Sequence, residues 1–196
     1  MTKIDQKKII LIKIKRKDYK KYYRDKREFI ETFIKEKFNY KGPMIFQRSP
    51  KGKPYLQVPE GIYFNLTDTD NYILLALTQV CPIGLDMEER NRKVNLKIFK
   101  RYCCGGEEEC FRTWWKDYRE EEMVLAGWSR KEAYGKALGV GIDFSKSFEK
   151  YDTTSEELLK TMKTIFDGDL VYTVCLRDES LEGLKIEVEE VKDGPV

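Results

Sequence analysis

The chain predicts an α+β fold, and three features of its 196 residues carry that prediction. Ile10, Ile12 and Ile14 alternate with Lys13 and Lys15, the period of a strand with one wet face. From Lys17 the period lengthens to that of a helix, and between Tyr55 and Glu88 short apolar runs alternate with turn formers. After Glu89, helical patterns lead to two closing strands. Strands and helices thus occupy separate stretches, which is the α+β arrangement.

Taken in order, the first strand passes into a helix expected from Lys17 to Phe38, with Tyr19, Tyr22, Tyr23, Phe29, Ile30, Phe33 and Ile34 on one stripe. Asn39-Tyr40-Lys41-Gly42-Pro43 breaks it. Met44 to Phe46 is a short strand candidate, and Gln47 to Pro54 is a basic loop rich in turn formers. Short strands are expected at Tyr55–Val58, Ile62–Leu66, Tyr72–Leu77 and Ile83–Glu88. Helices follow at Glu89–Tyr102, Glu107–Tyr118 and Trp128–Leu138, then a loop from Asp143 to Asp152. A helix at Glu156–Phe166 and strands at Leu170–Leu176 and Leu184–Val191 close the chain.

Composition narrows the chemistry. There is no histidine, which excludes Ser-His-Asp and Cys-His catalysis, and a metal held here should prefer oxygen ligands, as Mg²⁺ does. Five cysteines lack zinc-site spacing and suit thiols in a reducing compartment. The longest apolar runs fall far short of the roughly 20 residues that cross a bilayer, and no signal peptide is evident. The expectation is a cytoplasmic protein without a membrane role. Residues 1–60 hold 18 Lys+Arg against 7 Asp+Glu, whereas the rest is acidic. Such asymmetry marks either a polyanion-binding region or a solvated lysine-rich surface.

Candidate chemistry concentrates in Trp128-Ser129-Arg130-Lys131-Glu132-Ala133-Tyr134-Gly135-Lys136-Ala137-Leu138-Gly139. On a helix Glu132 and Lys136 project from one face. Asp86 and Glu88, two apart on a strand, also share a face. Three carboxylates and a lysine suit a divalent metal and a phosphate. The same residues have a structural reading, with Ser129 and Glu132 forming a capping box at a helix start.

Four blocks, Gly52-Lys53-Pro54-Tyr55-Leu56, Phe64-Asn65-Leu66-Thr67-Asp68-Thr69, Pro82-Ile83-Gly84-Leu85-Asp86-Met87-Glu88 and the Trp128 to Gly139 stretch, stand in the order found in one family. Lys100-Arg101-Tyr102 and Glu107-Glu108 between the last two add to the match. With these blocks the chain resembles the 4′-phosphopantetheinyl transferase superfamily in its larger, two-lobed form. The resemblance implies two similar α/β lobes related by pseudo-twofold symmetry, an N-terminal lobe at residues 1–84 and a C-terminal lobe with the metal site at 85–196. Coenzyme A would lie between them.

The implied reaction is transfer of the phosphopantetheine arm of coenzyme A to a serine of an acyl or peptidyl carrier protein, releasing adenosine 3′,5′-bisphosphate. By the resemblance Asp86, Glu88 and Glu132 ligate Mg²⁺. Glu88, directly or through metal-bound water, acts as base for the serine. Lys136 sits on the phosphate and neutralises the leaving group, and Lys131 adds a phosphate contact. Thr67, Arg48 and Lys53 belong to the coenzyme A contacts. One departure is Thr67-Asp68, where the family commonly has serine and histidine near the 3′-phosphate; Arg48 or Lys53 is expected to offset that carboxylate. A monomer suffices for such a site, and nucleic acid is not expected as a partner. The alternative is a non-catalytic relative that binds coenzyme A, a nucleotide or a carrier protein.

Overall fold

A computed structural model describes residues 8–140 and 152–192. The loop expected from Asp143 lies outside these except for Asp152, as do the side chains of Lys100 and Arg101. The chain forms two compact units, Met1–Ile83 with Gly183–Val196, and Gly84–Glu182.

The first unit is built on a sheet of strand order β4-β5-β1-β9. Its members are β1 (Lys8–Lys15), β4 (Tyr63–Asp68), β5 (Tyr72–Thr78) and β9 (Lys185–Val191). β1 and β4 run antiparallel to β5, and β9 lies parallel to β1 with Ile12 opposite Glu189. The closing strand therefore belongs with the first unit, although the expected lobe boundaries put it in the second. β2 (Ile45–Arg48) and β3 (Pro54–Val58) form a separate hairpin whose turn is the basic loop.

The helix expected from Lys17 to Phe38 is two helices, α1 (Arg16–Tyr22) and α2 (Lys26–Phe38). Asp25 explains the break: its side chain accepts the Glu28 amide at 2.9 Å as an N-cap, and Glu28 Oε2 takes the Arg24 amide at 2.7 Å. Asn39, with φ of 48°, ends α2. Phe29, Ile30, Phe33 and Ile34 bury against Ile10, Ile12, Ile14 and Leu75 of the sheet. Helical spacing had placed the stripe correctly while missing the capped break inside it.

In the second unit β6 (Ile83–Glu89), β8 (Leu170–Leu176) and β7 (Met162–Asp167) form a sheet in that order, with β7 antiparallel to β8. The helix expected over Glu89–Tyr102 is only α3 (Leu96–Tyr102). Arg90 extends the strand, its amide bonding Asp169 O at 2.8 Å, and Asn95 caps α3 by accepting the Lys97 amide. α4 spans Glu107–Trp114. The helix expected at Glu156–Phe166 stops after α6 (Glu156–Thr161), because Lys163 to Phe166 pair with Val174 to Val171 of β8. Threonine, isoleucine and phenylalanine there suit a pleated surface better than a helix.

The element that organises the site is α5 (Glu120–Leu138). It begins eight residues before the expected Trp128 start, with three glutamates in its first turn, where the helix dipole favours them. Gly139, with φ of 74°, ends it as expected of a C-cap glycine. Phe99, Tyr102 and Phe111 pack against Met123 and Val124, while Ala133 and Ala137 pack against Met162 and Cys175. All five cysteines lie outside disulfides, in keeping with the thiols expected. No helix among the described residues is long and apolar enough to cross a membrane.

Candidate active site

Gly84 brings strand and helix together. A Cβ there would lie 1.9 Å from Ala133 O and 2.5 Å from Ala137 N, so β6 and α5 meet backbone to backbone. That approach sets the β6 carboxylates against Lys136 and Glu132 of α5. Ser129 is mid-helix and caps nothing; its Oγ donates to Asp86 O at 3.0 Å, tying α5 to the strand at the first candidate ligand. The capping-box reading of Ser129 and Glu132 is thereby set aside.

Asp86 and Glu88 are both buried. Lys136 Nζ lies 2.7 Å from Asp86 Oδ1, whereas Asp86 Oδ2 is buried with no hydrogen-bond partner. Glu88 Oε2 receives Arg92 Nη1, a partner the sequence reading missed. Burial pushes the Asp86 carboxyl up to about 7, with Lys136 opposing the rise and Glu88 and Glu132 adding to it. Burial likewise raises Glu132, again opposed by Lys136 and reinforced by Glu88. Carboxylates that raise one another are short of positive charge. A buried oxygen without a partner and a set of hard oxygen donors fit Mg²⁺, which demands such ligands.

Lys131 does not join this group. It is 1% exposed and ion-paired to Glu107, with its Nζ also 3.4 Å from Cys104 Sγ. Successive helix positions point about a quarter-turn apart, so Lys131 faces α4 while Glu132 and Lys136 share the other face. The atoms of Cys104, Glu107 and Asp152 lie within 4.8 Å of one another, a spacing a metal would accept, but there the Lys131 ammonium already balances Glu107.

In the first unit the expected coenzyme A contacts separate. Thr67 is buried within β4. Arg48 Nη1 donates to Gly52 O at 2.9 Å and Lys53 Nζ to Ile83 O at 2.9 Å. Neither offsets Asp68, contrary to expectation: its carboxylate is held by Arg16 Nη2 at 2.5 Å and Lys26 Nζ at 2.6 Å. Local spacing carries no sign of those partners, because both are more than 40 residues from Asp68 in the chain. Beside them Lys26, Arg27, Phe46, Arg48 and Asn65 line a concavity of about 720 Å³. Arg27 stacks over the Phe46 ring at 5.1 Å, so cations and an aromatic face share its wall.

Comparison with known proteins points to the same superfamily. Over 160 residues the chain is 26% identical to the L-aminoadipate-semialdehyde dehydrogenase-phosphopantetheinyl transferase of Rattus norvegicus, covering 73% of this chain and 52% of that protein. It is 32% identical over 105 residues to the 4′-phosphopantetheinyl transferase HetI of Nostoc sp., covering 52% and 44%. With the holo-[acyl-carrier-protein] synthase of Staphylococcus aureus it shares 30% over 95 residues, 46% of this chain and 79% of that one. The chain spans about half the length of the first two. The family model of the 4′-phosphopantetheinyl transferase superfamily matches residues 82–188, from the start of β6 through α5 and into β9, and the chain belongs to that superfamily.

Proposed function

We infer that this protein transfers the 4′-phosphopantetheine arm of coenzyme A to a serine of an acyl or peptidyl carrier protein in a Mg²⁺-dependent reaction. The observation that carries the reading is Asp86, buried, half-paired with Lys136 and left with an unpartnered oxygen, beside Glu88 and Glu132. Asp86, Glu88 and Glu132 would hold the metal. Bound there, Mg²⁺ would supply charge neutralisation for the pyrophosphate oxygens.

The chain's own groups do the rest. Glu88 accepts the serine hydroxyl proton at Oε1 while Arg92 holds Oε2. The serine oxygen–phosphorus bond forms as the pyrophosphate phosphorus–oxygen bond breaks, and adenosine 3′,5′-bisphosphate departs with its electrons. Lys136, already beside Asp86, offers its ammonium to the charge that builds on the leaving phosphate. The basic concavity near Lys26 and Arg48 is assigned to the nucleotide end of coenzyme A, and Lys131 to holding α5 in place. The two units correspond in this reading to the two similar lobes of the larger members of the family.

The test is intact mass of purified apo carrier proteins incubated with the protein, coenzyme A and Mg²⁺. A phosphopantetheine increment that disappears in Glu132→Ala and Lys136→Ala supports the reading. If no carrier gains mass while coenzyme A still binds by calorimetry, the chain is a binding relative and the transfer reading is wrong.

A further inference from the structure

We propose that Cys104 and Lys131 are poised to form a reversible covalent bridge through one oxygen atom, Sγ–O–Nζ, when the protein meets a peroxide. Lys131 Nζ donates to Cys104 Sγ across 3.4 Å. Glu107 Oε2 accepts the Cys104 thiol at 3.2 Å and pairs with the same ammonium. Thiol, amine and carboxylate thus converge in the interior, with Cys104 8% exposed and the other two side chains at or below 1%. None of these three residues is among the groups that the proposed function places in transfer, although Lys131 directly precedes Glu132 in the chain.

The geometry selects the product. One intervening oxygen spans most of the existing separation, whereas a direct sulfur–nitrogen bond would require a much larger shift of α5 against a packed interior. Burial, then the hydrogen bond to Glu107, push the Cys104 thiol up to about 11. The resting thiol is therefore neutral, and Glu107 is the base in contact with both reacting groups. In the balanced step the Cys104 thiol and the Lys131 ammonium react with two molecules of hydrogen peroxide. The bridge, three waters and one proton result, with sulfur and nitrogen oxidised and peroxide reduced. The proton passes to the Glu107 carboxylate. Holding the groups in contact removes the entropy cost of bringing them together. Four thiol equivalents, as two molecules of dithiothreitol, would cleave the sulfur–oxygen and nitrogen–oxygen bonds in turn, leaving two disulfides and one water and restoring both side chains.

The bridge would tie α5 to the segment between α3 and α4. Its mass signature separates it from the ordinary thiol products, since it adds one oxygen and removes two hydrogens. A sulfenic acid adds the oxygen alone, and a Cys103–Cys104 disulfide only loses the hydrogens. The full chain is treated with hydrogen peroxide, quenched, and measured by intact mass and tryptic mapping before and after dithiothreitol. The expected result is the bridge mass, a linked peptide pair containing Cys104 and Lys131 with cleavage after Lys131 lost, and reversal by dithiothreitol. Cys104→Ser and Lys131→Arg should abolish the signature and Cys103→Ser should keep it. Oxidation confined to whole oxygen additions or to a disulfide overturns the proposal, as does an unmodified Cys104–Lys131 pair after the half-buried thiols of Cys103 and Cys110 have reacted. The wild-type peptide map decides the matter even if a variant folds poorly.

Discussion

Lys131 and Glu107 face one another in an ion pair from which water is excluded, their side chains 1% and 0% exposed. Glu107 does more than neutralise the lysine. Its Oε2 accepts the Cys104 amide at 2.9 Å, and its Oε1 accepts the Thr153 amide at 2.6 Å and hydroxyl at 2.7 Å. One carboxylate therefore joins the start of α4, the middle of α5 and the chain leading into α6. Removing it takes the carboxylate charge from a buried ammonium, so Glu107→Ala is expected to lower unfolding free energy by about 3–5 kcal/mol. Glu107→Gln, which keeps an acceptor for Thr153, should cost less. Urea unfolding of the two variants measures this, and a loss under about 1 kcal/mol for Glu107→Ala would contradict the burial argument.

The contact at Gly84 leads to a second expectation. Backbone atoms of Ala133 and Ala137 occupy the space a methyl group would need, and backbone yields less readily than a side-chain tip. Gly84→Ala should separate α5 from β6 and cost about 3 kcal/mol or more, at the upper end of overpacking penalties. Because Lys136 reaches Asp86 only across this contact, carrier modification should fall with stability. Gly106→Ala, with nothing within 4 Å of its new methyl group, is the control and should be near neutral. Equal melting temperatures for the two variants would sink the argument.

What was legible in the sequence, and what was not, follows from range. The strand at Ile10–Ile14, the apolar face of α2 and the Gly139 stop rest on local periodicity and local caps, and all appear in the fold. The break at Tyr23–Asp25 was also local; Asp25 followed three residues later by Glu28 is a helix-start signature that the tyrosine stripe obscured. Tertiary pairing governs the rest. Met162–Asp167 has a helical neighbour and becomes a strand only because β8 offers it a partner. Asp86, Glu88, Glu132 and Lys136 were singled out by spacing and motif, but the placement of Lys131 opposite Glu107 depends on how α4 packs on α5. Likewise Arg16 and Lys26 reach Asp68 from elements distant in sequence.

Asp68 supplies the pH dependence. Burial alone would raise its carboxyl, but hydrogen bonds and charge from Lys26 and Arg16 outweigh burial and hold it below the usual carboxylate range. A folded-state value below the unfolded one stabilises the protein above the ordinary carboxyl range, and that stability disappears as pH falls through the folded value. Asp68→Asn should cost about 1 kcal/mol at neutral pH, the scale of a partly exposed ion-pair network, and nothing in strong acid. Urea titrations of both proteins between neutral pH and strong acid measure the gap. A gap that widens toward acid would reverse the sign required of Asp68.

The last prediction separates stability from function at the candidate metal site. Asp86 and Glu132 are both raised by burial and by neighbouring carboxylates, so their ionised forms oppose folding while no cation is bound. Glu132→Gln removes one of those charges at nearly constant volume. The metal-free variant is expected to be more stable than wild type by about 1 kcal/mol, the usual gain when a functional site is relieved of repulsion. Adding Mg²⁺ should then raise the melting temperature of wild type as binding stabilises the folded state, and leave Glu132→Gln and Asp86→Asn nearly unmoved. Ca²⁺, with looser geometry and more ligands, should stabilise wild type too, so a thermal shift shows only that a cation binds. Transfer to a carrier protein with Mg²⁺ and without it then asks whether that cation serves the reaction. A wild type indifferent to EDTA and Mg²⁺ in both measurements would assign the carboxylates to structure alone.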